Sequence, residues 1–179
     1  MTFDEVMVLT RTISSETAFD EAECRAYFDL CNVLPEGSVV VEIGLQFGRS
    51  SSIAGQLAEA NGLTYIGIDP FNEKNNARTR WKLLMGTVHP SYILFEVESS
   101  YAPTELMSDI DLALIDGNHS AEGVRIDCRL LKPLVKPGGH ICFHDFEREP
   151  LPDVALVARE EMADWTHVGT YGTLGVFRK

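Results

Sequence analysis

The sequence predicts an α/β fold: a doubly wound, mostly parallel seven-stranded sheet with an antiparallel strand from a C-terminal hairpin. Three observations predict it. Apolar or β-branched runs alternate with helical patterns along the chain, as in a parallel sheet covered on both faces. Three of those runs stop at a carboxylate or a glycine, at Glu42-Ile43-Gly44, at Ile68-Asp69 and at Ile115-Asp116-Gly117. The last two runs flank Tyr171-Gly172 at hairpin spacing, which breaks the alternation.

The elements follow in order. The first 35 residues read as helical, with Ala18, Ala22, Ala26, Phe19, Tyr27 and Leu30 at helical spacing, and Pro35-Glu36-Gly37 ends them. Ser38 to Ile43 is a buried strand. Ser50-Ser51-Ser52 offers capping hydroxyls to a helix with Ile53, Ala54, Leu57 and Ala58 on its inner face, and Asn61-Gly62 stops it. Thr64 to Asp69 is the second strand, Glu73 to Gly86 a polar helix and Tyr92 to Val97 the third strand. Ser99 to Met107 reads as a short helix and Ile110 to Asp116 as the fourth strand. Ser120 caps a helix with Val124, Cys128 and Leu131 on its inner face. Lys136-Pro137-Gly138-Gly139 turns into the strand His140 to His144, and Val154 to Met162 is helical. Trp165 to Thr170 and Thr173 to Phe177 form the hairpin.

The chain of 179 residues has the length of one domain, an N-terminal helical segment (1–35) before an α/β core (36–179). The net charge of −12 counts against a nucleic-acid backbone or an anionic membrane surface, both of which need a basic face. No signal-peptide pattern opens the chain, and no apolar stretch nears the roughly 20 residues of a membrane span. Cys24, Cys31, Cys128 and Cys142 form no CxxC pair and read as structural thiols of a reducing cytoplasm.

Ligands of open parallel sheets bind outside the carboxyl ends of the strands, so acids at several strand ends point to one pocket. The loop Glu42-x-Gly44-x-x-x-Gly48 has Gln46 where a dinucleotide fingerprint carries its second glycine, which disfavours NAD(P). Gly44 permits a tight turn and Gly48 a close backbone approach to a ligand. Glu42 inside a buried strand needs a partner, and a purely structural acid is the other reading. Asp69 suits ribose hydroxyls, or else caps the next helix. Glu98-Ser99-Ser100 stands where a nucleobase is read, though this signal is weak.

Together these residues resemble the class I S-adenosylmethionine-dependent methyltransferases. More narrowly, Val41-Glu42-Ile43-Gly44-x-x-x-Gly48-x-Ser50-Ser51, Ile115-Asp116-Gly117-Asn118-His119-x-x-Glu122-Gly123-Val124-x-x-Asp127 and Leu134-x-x-Pro137-Gly138-Gly139 with His144-Asp145 are similar to the methyltransferase 24 family. That family is related to macrocin-type O-methyltransferases and cephalosporin-hydroxylase-like proteins. The resemblance implies a Rossmann-like sheet with S-adenosylmethionine as cofactor. Glu42, Gly44 and Gly48 would shape its methionine end, and Ser50 or Ser51 would meet its carboxylate. Asp69 would hold the ribose, Glu98, Ser99 or Ser100 would lie near the adenine, and Asp116 would stand close to the methyl. Some macrocin-type relatives bind magnesium with an acid after the fourth strand and two after the fifth. Here one of that pair is His144.

The implied reaction is O-methylation of a small metabolite, a sugar or natural-product hydroxyl. An N-methyltransferase and a silent nucleoside-binding or interaction module are the alternatives. Asp116 and His119 are the candidate catalytic residues, His119 as base, as ligand or ligand support, or as helix cap. Asp116, Asp145 and His144 are candidate ligands of Mg2+; alternatively Asp116 is an orienting acid and His144 a structural histidine or the base. Asp127 reads as a solvent or helix-packing group. Lys74, Arg78, Arg80 and Lys82 either greet an anionic acceptor or form a solvated face. The expected partner is a small-molecule methyl acceptor, with a homodimer as the oligomeric expectation.

Overall fold

Two helices, α1 (Phe3–Ile13) and α2 (Glu21–Asn32), precede the sheet in the computed structural model, which describes residues 1–13, 19–72 and 76–179. α2 starts on a capping box: the Asp20 carboxylate accepts from Glu23 N–H at 2.9 Å, and Glu23 accepts from Asp20 N–H at 2.5 Å. Of the residues read as N-terminal helix, Ala18 lies outside the described residues, and Phe19 is buried ahead of α2.

The core alternates β1 (Val39–Ile43), α3 (Arg49–Asn61), β2 (Thr64–Ile68), α4 (Ala77–Val88), β3 (Ile93–Phe95), β4 (Ile110–Ile115), α5 (Ala121–Leu131), β5 (Val135–Phe143) and α6 (Pro152–Glu161). The hairpin β6 (Thr166–Tyr171) and β7 (Leu174–Arg178) ends it. The sheet order is β3-β2-β1-β4-β5-β7-β6. β1 pairs in parallel with β2 and β4, β2 with β3, and β4 with β5; β7 pairs antiparallel to both β5 and β6. β7 alone therefore runs against the rest.

Residue alternation along the strands divides the core in two. Val40, Leu112, Leu114 and Cys142 face one layer with Val6, Tyr27, Ile53, Leu57 and Trp81, so α1 to α4 cover that side. Val41, Ile43, Ala113, Ile115 and Phe143 face the other with Val124, Leu131, Val154 and Val157 from α5 and α6. No helix among the described residues is long and apolar enough to cross a membrane.

Several sequence expectations need correction. β3 is shorter than Tyr92 to Val97, because its pairing with β2 spans only Ile66 to Ile68. α4 starts at Ala77, and residues 73–75, read as the start of that helix, lie outside the described residues. Ser99 to Met107 forms two 3-10 turns, Ser99–Tyr101 and Thr104–Leu106, with Pro103 between them. Proline lacks an amide donor and bars its predecessor from helical dihedrals, so one helix cannot span it. The turn at Lys136-Pro137-Gly138-Gly139 is a bulge inside β5: Val135 pairs with Ile110, and the ladder resumes at His140 opposite Leu112. α3 is capped by the left-handed Gly48 with no side-chain bond, so its serines are not caps.

Candidate functional site

A cavity of about 520 Å3 opens at the carboxyl ends of the strands. The segment after β1 contributes Gly44 and Gln46, that after β2 Asp69, that after β3 Glu98 to Ser100, that after β4 Asp116 to His119, and that after β5 His144 and Asp145.

Gly44 turns with φ +84, and a β-carbon there would stand 2.0 Å from the Asp116 carbonyl oxygen. Only glycine fits this approach of β1 to β4. Gln46 also has positive φ, +41, so the loop keeps a left-handed backbone where a glycine was missed. Asp69 anchors this loop. Its Oδ2 accepts from Leu45 N–H at 2.7 Å and Gln46 N–H at 3.4 Å, and its Oδ1 from Phe71 N–H at 2.6 Å.

The other residues read as methionine-end contacts lie beneath the cavity. Glu42 is fully buried and accepts hydrogen bonds from Ser50 Oγ (2.5 Å), Ser51 Oγ (3.0 Å) and the Tyr65 hydroxyl. Burial pushes its carboxyl up to about 7 against the pull of those donors. Ser50 and Ser51 are buried with their hydroxyls on Glu42, and neither lines the cavity as a carboxylate contact would require. Gly48 is bare for packing: a β-carbon there would stand 2.5 Å from Leu84 Cδ2 and 2.9 Å from Trp81 Cδ1.

At the other end, four groups expected around one opening are brought together. Ligand atoms of Asp116, His119, His144 and Asp145 all lie within 4.8 Å of one another. His119 Nε2 lies 3.3 Å from both Asp116 Oδ1 and Asp145 Oδ2, and His144 Nδ1 lies 2.9 Å from Asp116 Oδ1. The hydrogen bond to Asp116 raises His119 above its ordinary value. Burial opposes the charge on Asp116, but hydrogen bonds from His119 and His144 outweigh it and lower this carboxyl.

His144 is 3% exposed. Its Nε2 stands 3.5 Å from Glu23 Oε2, an ion-pair distance with no hydrogen-bond geometry. Burial disfavours its charge, yet Asp116 and Glu23 overcome that and push it up to about 10. His144 thus lies between two carboxylates, which favour its charged form. Glu23 is in turn fixed by Thr173, whose N–H and Oγ donate to its Oε1 at 2.7 and 2.6 Å.

Two cavity residues, Arg148 and Asp127, and one residue behind the cavity, Glu23, escaped the sequence reading of the site. Arg148 donates to Asp145 Oδ1 at 2.6 Å and carries no motif. Glu23 reaches His144 only through tertiary contact. Asp127, read as a solvent or packing group, is 2% exposed and lines the cavity. Its signal was available: it lies three residues after Val124 and four before Leu131, on the buried face of α5. Of the basic stretch, Lys74 lies outside the described residues, Arg78 and Lys82 pair with Glu96, and Arg80 stacks on Phe47.

Residues 41–146 match the model of a methyltransferase domain family. The chain belongs to the methyltransferase 24 family. This methyltransferase matches no curated protein in sequence. Its fold is shared with CalS11, a TDP-rhamnose 3′-O-methyltransferase of calicheamicin biosynthesis (TM-score 0.68, 13% identity, 98% of this chain and 92% of that one). It is shared with MycE, a mycinamycin-pathway methyltransferase in complex with Mg and S-adenosylhomocysteine (TM-score 0.67, 13% identity, 97% of this chain and 54% of that one). A structure ascribed to an rRNA methylase of Clostridium thermocellum is similar too (TM-score 0.67, 12% identity, 89% of this chain and 98% of that one). At these identities the likeness is one of fold. Family membership makes the protein a class I S-adenosylmethionine-dependent methyltransferase.

Proposed function

We infer that this methyltransferase transfers the S-adenosylmethionine methyl to a hydroxyl of a small metabolite, such as a sugar or natural-product intermediate. The observation that carries this reading is the cluster of Asp116, His119, His144 and Asp145 opening onto the cavity that Gly44, Asp69 and Ser99 also line. The cofactor would lie along the ends of β1, β2 and β3, with its methyl toward Asp116. The acceptor oxygen would enter over Asp116 and His119. The net charge of −12 disfavours an RNA acceptor.

In the transfer, the acceptor oxygen attacks the methyl carbon in line as the carbon–sulfur bond breaks, and S-adenosylhomocysteine leaves neutral. The protein supplies alignment, which is the main demand of such a displacement. His119 accepts the hydroxyl proton, and Asp116 and Asp145, each 3.3 Å from its Nε2, stabilise the resulting imidazolium. His144 and Glu23 hold Asp116 from behind.

Carboxylate oxygens suit magnesium, and Asp116 and Asp145 would hold it beside His119. His144, with Nδ1 on Asp116 Oδ1 and Nε2 toward Glu23, would support Asp116 from behind the ion. When bound, the ion would lower the pKa of the acceptor hydroxyl. The test is calorimetry with S-adenosylhomocysteine, followed by a panel of sugar and phenolic hydroxyl acceptors with and without Mg2+. Micromolar binding and a methylated hydroxyl are expected; a folded protein that binds no S-adenosylhomocysteine would overturn the reading.

A further inference from the structure

One titratable group in the cavity has no part in that reaction. Asp127 Oδ1 accepts a 2.5 Å hydrogen bond from the Ser99 hydroxyl, which ties α5 to the segment after β3. No hydrogen-bond donor among the described residues reaches its Oδ2. Gly117, the residue after Asp116, is bare against this oxygen: a β-carbon there would stand 2.9 Å from Asp127 Oδ2 and 3.1 Å from Ile43 Cγ2. The carboxylate thus sits in the cavity wall between the segment after β3 and the residues after β4. Burial pushes its carboxyl up to about 6, with the Ser99 hydroxyl pulling it down.

A carboxylate oxygen with no donor among the described residues, on a largely buried side chain that lines a cavity, favours a ligand bringing an N–H or O–H to that point. The cofactor has one such group at its far end, the exocyclic amine of adenine. With its ribose near Asp69, its base extends toward the β3 side, where Ile68, Pro70 and Ile126 offer apolar faces for the ring.

We propose that Asp127 is a specificity-determining residue of the cofactor pocket: its Oδ2 accepts from the 6-amine of adenine while Ser99 holds the carboxylate in place. This rests on the cofactor reading above. A 6-oxo purine would set its carbonyl oxygen against the carboxylate and be rejected. Asp127 also latches α5 through Ser99, and a latch alone would leave base selectivity untouched.

The experiment is calorimetry of the full chain with S-adenosylhomocysteine and S-inosylhomocysteine, which differ at the 6-position. The wild type should prefer the adenine compound by about tenfold or more, since a site built around a donor rejects an analogue lacking it. Asp127→Asn presents an amide donor to the 6-oxo group, so the preference should collapse or invert. Should Asp127→Asn not fold, Ser99→Ala, which frees the carboxylate to rotate, should still narrow the preference several-fold. Equal binding of both compounds by the wild type overturns the proposal and leaves the cofactor reading standing. So does an unchanged preference in the folded Asp127→Asn variant, or in Ser99→Ala where it stands in. Failure of the folded wild type to bind either compound overturns the cofactor reading itself, and this proposal with it.

Discussion

The carbonyl oxygen of Asp116 occupies the space that a side chain on Gly44 would need, 2.0 Å from an ideal β-carbon. Asp116 N–H also donates to the Ile43 carbonyl at 2.8 Å, so the ends of β1 and β4 close on each other at the cavity floor. Gly44 has φ +84, which adds backbone strain to the clash for any other residue. Gly44→Ala should destabilise the fold by about 3 kcal/mol or more and remove S-adenosylhomocysteine binding. Urea denaturation checks the first and calorimetry the second. A variant with the wild-type midpoint would contradict the contact.

Asp69 holds the glycine loop through Leu45 and the following turn through Phe71, and is proposed to hold the ribose as well. Asp69→Ala should therefore weaken S-adenosylhomocysteine by about 100-fold, from two lost charge-assisted hydrogen bonds of roughly 1.5 kcal/mol each. Affinity within threefold of wild type would remove Asp69 from the cofactor site.

His119→Ala should leave S-adenosylhomocysteine affinity intact and lower turnover by about 10²- to 10⁴-fold, the usual yield of a positioned base. His119 titrates above its ordinary 6.5 because of Asp116, and a base must be neutral to act. The rate should thus rise with pH through a value above 6.5. A rate profile with no such limb, together with full activity of the variant, would rule out His119 as the base.

Glu42 predicts a pH dependence of stability. Its carboxyl titrates at about 7 when folded, against an ordinary 4.5. Between those values the unfolded chain is ionised while the native one keeps its proton. The stabilisation is complete below 4.5 and is lost as pH rises through about 7, on the order of 3 kcal/mol. Asp127, pushed from 3.8 to about 6, adds a smaller change of the same sign. Glu42→Gln carries no proton to lose, so denaturation midpoints of this variant should vary less with pH across that window. Parallel curves for the two proteins would show that Glu42 is ionised in the native state.

Much of this architecture was legible from short-range pattern. Strand and helix periodicities of 2 and 3.6 residues are written locally, so Val39–Ile43, Ile110–Ile115 and the Ser120-capped α5 could be read in place. Gly44 and the Ile115-Asp116-Gly117-Asn118-His119 segment could be read because a tight turn at a strand end admits few residue types. The meeting of Asp116, His119 and Asp145 followed from strand order, since β4 and β5 are neighbours. Partner choice among buried polar groups was a different matter. Ser50 and Ser51 could equally have capped α3 or met a ligand; the depth of Glu42 in β1 directs them inward. His144 was open as metal ligand, base or structural histidine; its contact with Glu23 of α2, which the hairpin holds through Thr173, comes only with tertiary packing. A hydrogen bond or ion pair between residues far apart in the chain depends on which layers the sheet brings face to face, and no local spacing encodes that.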